Sequence, residues 1–194
     1  MAQSAVLGFP RIGPQREVKK ALESYWGGKS SKDDLLAVAK EQRLLTYKLI
    51  KDAGVDIIPT GTFSLYDHIL DASNTFGIIP KAYANSGLDN LDTYFAMARG
   101  HQKDNVDLPA TEMKKWFDSN YHYLVPEFSE ASEFKLNELK PVNDFVEAKQ
   151  AGFNARPVLI GPITLLWLGK VSTEAKDPAF DRVSLAPKLA AVYA

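Results

Sequence analysis

The sequence predicts an α/β protein, and three observations carry that prediction. Short apolar runs alternate with longer amphipathic ones along the chain, the order expected of repeated strand, loop and helix. Turn residues punctuate the runs, with Pro10, Gly13 and Pro14 after the first and Gly161-Pro162 after the last. The composition, 45% hydrophobic and 24% charged over 194 residues, is that of a globular chain able to bury a core. Buried parallel strands joined by right-handed crossovers follow, as either an open doubly wound sheet or part of a β/α barrel.

Taken in order, Ala5 to Phe9 reads as a buried strand. Val18, Ala21, Leu22 and Tyr25 then fall at helical spacing, and Gly27-Gly28 ends that helix. Ser30 and Ser31 ahead of Asp33 and Asp34 have the spacing of a capping box. It opens a helix whose Leu35, Val38, Leu45 and Leu49 are expected on one apolar face, with Gly54 as its stop. Val55 to Pro59 is expected to be a strand and Phe63 to Phe76 a helical region. From Ile78 to Ala110 the breakers Pro80, Gly87, Gly100 and Pro109 leave only Leu91 to Ala98 with a helical pattern. Val142, Phe145, Val146 and Lys149 predict a helix stopped by Gly152, and Pro157 to Ile160 another buried strand. Leu185, Leu189 and Val192 give a last helix that tolerates Pro187 near its start and runs into Ala194 without a capping residue. A complete barrel takes about 250 residues, and only about half its strands are countable here, so an N-terminal portion of a longer protein is expected.

Charge and composition exclude several classes. The 23 Lys+Arg balance 24 Asp+Glu, so nothing global draws the chain to nucleic acid or anionic lipid. The nearly apolar stretch from Pro157 to Gly169 is broken by Gly161 and Pro162 and is shorter than the ~20 residues of a membrane helix. Met1-Ala2-Gln3-Ser4 carries no basic segment leading into an apolar one, so a cytoplasmic location is expected. The absence of cysteine removes disulfides, thiolate metal sites and cysteine nucleophiles. His68, His101 and His122 are scattered and show no metal-ligand spacing. Gly28-Lys29-Ser30 lacks the first glycine of a phosphate loop, because position 23 is Glu23, and is read as a turn between helices.

Three places invite chemistry. Arg16, Lys19 and Lys20 crowd the first turn of the first predicted helix, where the helix dipole favours acids instead. Arg16 and Lys19, three residues apart, could together hold a carboxylate or phosphate; the plain alternative is solvated cations partly paired with Glu17 and Glu23. The segment from Thr111 to Tyr123 mixes four aromatic residues with ionisable and amide groups, which suits either a pocket wall or an aromatic core strip. Tyr66-Asp67-His68, with Asp71 one turn on, could supply an Asp-His pair.

Several longer words then become recognisable. Gly8-Phe9-Pro10-Arg11-Ile12-Gly13, Arg16-Glu17-Val18-Lys19-Lys20-Ala21, Tyr66-Asp67-His68, the run from Glu112 to Glu127 and Pro157-Val158-Leu159-Ile160-Gly161-Pro162 resemble, in order, the N-terminal domain of the cobalamin-independent methionine synthase family. The resemblance implies that residues 1–194 are the N-terminal portion of a two-barrel protein, a partial (β/α)8 barrel whose C-terminal catalytic barrel is absent. It implies methyl transfer from 5-methyltetrahydropteroyltri-L-glutamate to L-homocysteine, with zinc and no cobalamin, and places the zinc ligands and every catalytic residue in that other barrel. By resemblance the folate-tail motif lands on Arg16, Glu17, Val18 and Lys19, its second lysine contact on Lys115, and a further folate contact on Asn120. Lys114 departs from the family, which commonly has threonine there, and leaves Lys115 in register. The rival reading is a non-catalytic half-barrel that associates with another copy or another chain through its open sheet edge.

Overall fold

A computed structural model describes residues 2–103 and 105–194. Met1, at the head of the segment read for a targeting signal, and Asp104, inside the 78–110 stretch, lie outside the described residues. The elements in chain order are α1 (Glu17–Trp26), α2 (Lys32–Asp52), β1 (Ile58–Thr60), α3 (His68–Thr75), a single-turn α4 (Lys81–Ala84) and α5 (Asn90–Arg99). Five short strands follow: β2 (His101–Lys103), β3 (Val106–Leu108), β4 (Met113–Lys115), β5 (His122–Leu124) and β6 (Glu127–Phe128). The chain continues through α6 (Lys140–Gln150), β7 (Ala155–Pro157), α7 (Pro162–Leu168), β8 (Lys170–Val171), a 3-10 turn (Arg182–Leu185) and α8 (Ala186–Tyr193). The result is mixed α/β, and among the described residues the sheets are two-stranded and none closes into a barrel. Among the same residues no helix is long and apolar enough to cross a membrane.

The chain divides into two compact units, the first formed by residues up to Leu65 together with Lys140–Leu159, the second by Tyr66–Leu139 and Ile160–Ala194. In the first, α1 packs on α2. β1 pairs in parallel with β7, Ile58 opposite Ala155 and Thr60 opposite Pro157. The capping box that opens α2 is present: Ser31 Oγ accepts from Asp34 N at 3.1 Å while Asp34 accepts from Ser31 N at 2.8 Å. Tyr47, Ile50, Ile58 and Ala148 form the core between α2, β1 and α6. Beside that core the Arg43 guanidinium makes a two-pronged bond to Glu147, at 2.8 and 2.9 Å, with Asp144 at 3.7 Å. Burial opposes the charge on Arg43, but the Glu147 bond and the two carboxylates outweigh it and raise its pKa. Lys140 completes the network through Asp144 at 2.8 Å and the Phe63 carbonyl at 2.7 Å.

In the second unit, β6 runs parallel to β8, and two antiparallel hairpins, β2–β3 and β4–β5, precede it in sequence. The core is built on Ile69, Phe128, Leu165, Leu166 and Leu189, all fully buried. Each such side chain contributes about 2 kcal/mol of transfer free energy. Arg182 donates to the Leu166 and Trp167 carbonyls, each at 2.8 Å, and so satisfies the C-terminal end of α7. Gly169 is required by space: a Cβ there would lie 2.3 Å from Phe128 Cε2 and 2.8 Å from the Pro126 carbonyl oxygen.

Four expectations are corrected. Ala5 to Phe9 is exposed and, among the described residues, makes a single parallel bridge, Ala5 to Ile57. Pro157 to Ile160 is not a buried strand: β7 covers Ala155–Pro157, and Leu159 is 53% exposed. Both runs look like interior strands because of their apolar residues, yet a strand is buried only if other elements cover its faces. On α2 the buried stripe is Leu35, Ala39, Gln42, Tyr47 and Ile50, while Leu45 and Leu49 are exposed. At 100° per residue these two leucines fall about 80° and 40° to one side of Leu35, on the flank away from Ile50. The helical region of 63–76 begins only at His68, because Asp67 caps it.

Candidate functional site

The first unit carries Arg16, Glu17, Val18 and Lys19. Helix α1 begins at Glu17, so Arg16 is its N-cap rather than a member of its first turn. Arg16 adopts a left-handed conformation, φ 62° and ψ 38°, which costs a non-glycine residue about 1 kcal/mol. Its N–H donates to the Gly13 carbonyl at 3.1 Å and its carbonyl accepts from Lys20 at 3.0 Å. Glu17 therefore leads the first turn, as the dipole favours, and its carboxylate accepts from Gln15 N at 3.0 Å. That carboxylate lies over Gly13, where φ is 86° and a Cβ would come within 2.2 Å of Glu17 Oε2. Val18 is fully buried and its N–H donates to the Ile12 carbonyl at 3.1 Å. Arg16 and Lys19 are exposed, and Lys19 Nζ stands 3.6 Å from Glu23 Oε1 with both side chains more than half in solvent. Such an exposed pair is worth little and exchanges readily for another anion.

The second unit carries Lys115 and Asn120 on one hairpin. β4 and β5 pair with Lys115 opposite His122, and the connecting loop is closed by Trp116 N donating to the Tyr121 carbonyl at 2.6 Å. Lys115 and Asn120 are both exposed. The loop turns through Phe117 at φ 50°, which, like Arg16 and Asn105, is a non-glycine residue held in the left-handed region, with its ring 71% exposed. Lys114 points its charge to Glu112 at 3.3 Å.

The third sequence candidate is a network at the start of α3. The fully buried Asp67 carboxylate accepts from Leu70 N at 2.9 Å, as N-cap, and from Leu124 N at 3.0 Å. Tyr121 Oη is 3.3 Å from Asp67 Oδ1 and 3.1 Å from His68 Nδ1, which lies 3.6 Å from the same Asp67 oxygen. Burial pushes the Asp67 carboxyl up to about 6, prevailing over the backbone N–H groups that favour its ionised form. Asp71 is engaged elsewhere, accepting from Tyr94 Oη at 2.7 Å. The sequence pairs Asp67 with His68 but gives no sign that Tyr121, more than fifty positions on, bridges them; only the β4–β5 hairpin brings it there.

The described residues do not fit a zinc site: the sequence has no cysteine, and no cluster of three or more His, Asp or Glu among them could hold a metal.

The chain is thus a mixed α/β protein with exposed Arg16 and Lys19 at the start of α1 and exposed Lys115 and Asn120 on the β4–β5 hairpin. The family model for the N-terminal domain of cobalamin-independent synthase matches residues 3–194. The chain is 55% identical over its whole length to a probable 5-methyltetrahydropteroyltriglutamate–homocysteine methyltransferase of Schizosaccharomyces pombe, covering 26% of that protein. It is 51% identical to the enzyme of that name from Saccharomyces cerevisiae, again over all of this chain and 26% of the relative. A bacterial relative of the same name, from Chelativorans, is 50% identical over 98% of this chain and 25% of its own length. The chain belongs to the cobalamin-independent methionine synthase family and spans about a quarter of the length of these relatives.

Proposed function

We propose that this chain is the N-terminal, folate-tail-binding part of a cytoplasmic cobalamin-independent methionine synthase, acting on 5-methyltetrahydropteroyltri-L-glutamate and L-homocysteine. The observation that carries the reading is the left-handed Arg16 beside Lys19, two exposed cations held at a helix N-terminus at a cost in backbone strain. A triglutamate tail offers several carboxylates, and a charge-assisted bond from any one of the cations, Arg16 or Lys19 in the first unit or Lys115 in the second, would offset the desolvation of the carboxylate it meets. Asn120 adds an amide able to donate and accept, while Glu17 and Val18 shape the turn, the one by covering Gly13 and the other by anchoring α1 in the core.

In this reading residues 1–194 are the N-terminal barrel domain. The parallel pairs β1–β7 and β6–β8 and the strand-to-helix order support a partial (β/α)8 barrel. Zinc, homocysteine activation and the catalytic groups belong to the rest of the parent protein, and this chain by itself does not transfer methyl groups. Its role is to hold the tail.

Calorimetric titration with methyltetrahydropteroyl-triglutamate and with the monoglutamate tests the reading. The triglutamate is expected to bind more tightly, with salt suppressing the difference and Lys19→Ala or Lys115→Ala each weakening it about tenfold, the loss of one charge-assisted bond. Equal or absent binding of both ligands by the folded chain refutes it. The exposed Ile163 and Trp167, four residues apart on α7 and 52% and 68% in solvent, favour the association module as the second reading. In that case sedimentation reports concentration-dependent self-association that folate does not alter.

A further inference from the structure

The network at the start of α3 has a direction. Tyr121 has one hydroxyl proton, and its oxygen lies 3.3 Å from Asp67 Oδ1 and 3.1 Å from His68 Nδ1. The Asp67 carboxylate can only accept, and its other oxygen already accepts two backbone N–H groups, from Leu70 and Leu124. The hydroxyl proton therefore goes to Asp67, and the hydroxyl oxygen accepts from His68, whose Nδ1 must carry hydrogen. The His68 ring is further fixed between two rings of the hairpin, edge-on to Trp116 at 4.6 Å and stacked on Tyr121 at 5.4 Å. Trp116 and Tyr121 are the two residues whose backbone bond closes the loop. Both ends of the loop are thus held to α3, one through Asp67 and one through a ring contact. Lys115 lies immediately before that closed loop and Asn120 immediately inside it.

We propose that Asp67, Tyr121 and His68 form a directional hydrogen-bonded latch, His68 to Tyr121 to Asp67, which holds the 116–121 loop to the start of α3 and positions Lys115 and Asn120 for an anionic ligand. The latch itself stands on geometry, and its ligand-positioning role rests on the tail-binding reading above. Asp67 and Tyr121 are positioning residues that act through Lys115 and Asn120. The left-handed Phe117 gives the latch something to hold, since a loop carrying backbone strain relaxes once its restraint is removed.

Tyr121→Phe tests the latch because it deletes one hydroxyl and keeps the ring that stacks on His68. Amide hydrogen exchange of this variant is expected to be at least about tenfold faster at Trp116 than in the parent, with Leu166 in the core unchanged. Nitrogen-15 spectra of the parent should show His68 protonated at Nδ1 at neutral pH. For the ligand, Tyr121→Phe should weaken triglutamate binding about fivefold and should have no further effect in a Lys115→Ala, Asn120→Ala background, since it acts through those two residues. Unchanged exchange at Trp116, or a His68 protonated only at Nε2, overturns the latch whatever the ligand does. A parent chain that does not prefer the triglutamate refutes tail binding and the positioning role with it, while faster exchange in that same chain still supports the latch. Equal loss of affinity in both backgrounds overturns the route through Lys115 and Asn120.

Discussion

Removing the charge of Asp67 should change how stability depends on pH, by an amount the structure sets. The carboxyl is fully buried and its pKa is pushed from an ordinary 3.8 to about 6. The groups around it are His68 and Asp71 on α3, Tyr94 on α5, and Tyr121 and Tyr123 on the hairpin. Because the folded pKa lies above the unfolded one, the folded chain holds the proton more tightly, and ionisation costs stability as pH rises from about 4 to about 6. A shift of roughly two units is worth about 3 kcal/mol, of which about 2 kcal/mol is recovered on going from pH 7.5 down to pH 4.5. Asp67→Asn keeps an acceptor for Leu70 and Leu124 and cannot titrate. Urea unfolding of both proteins at several pH values isolates the term, since every other titrating group cancels in the difference. The parent should gain about 2 kcal/mol on the variant as the pH falls over that range. A difference that stays flat refutes the burial argument. A difference that moves the other way means the backbone N–H groups win and the carboxyl pKa is lowered.

Arg16→Gly should separate stability from binding. Relief of the left-handed conformation is expected to leave the chain as stable as the parent or more stable by up to about 1 kcal/mol in urea, while triglutamate affinity falls. Gly169→Ala places a methyl group against Phe128, which is fully buried and has nowhere to go, so a loss of about 3 kcal/mol in urea unfolding is expected. Glu147→Gln removes the charge opposite Arg43, whose side chain is 15% exposed; about 2 kcal/mol should be lost in the same assay, with triglutamate binding retained.

Several helix ends were legible in the sequence because their causes are local, although the Asp67 cap that starts α3 was not read from it. The capping box at Ser31 and Asp34, the stops at Gly27-Gly28, Gly54 and Gly152, and the helical pattern around Leu91 to Ala98 each involve residues within one turn of one another. Strand burial was not legible. Ala5 to Phe9 and Pro157 to Ile160 carry apolar side chains, but whether they are covered depends on elements far away in the chain. The cationic turn was visible as a concentration of Arg16, Lys19 and Lys20, whereas its backbone strain and the displacement of Arg16 outside the helix were not, since composition says nothing of φ. Asp67 and His68 were visible as neighbours; the tyrosine that joins them was not.

By itself, then, the sequence determined the α/β class, most of the longer helices and the capping box of α2, the near-neutral charge, the absence of thiol chemistry and the words that mark the family. Tertiary structure alone decided which apolar residues are core, which flank of α2 is buried, and that Tyr121 meets Asp67 and His68 across more than fifty residues. The division follows range: hydrogen bonds within a turn depend on a few adjacent residues, whereas burial and the titration of a buried carboxyl depend on whatever the folded chain packs around them.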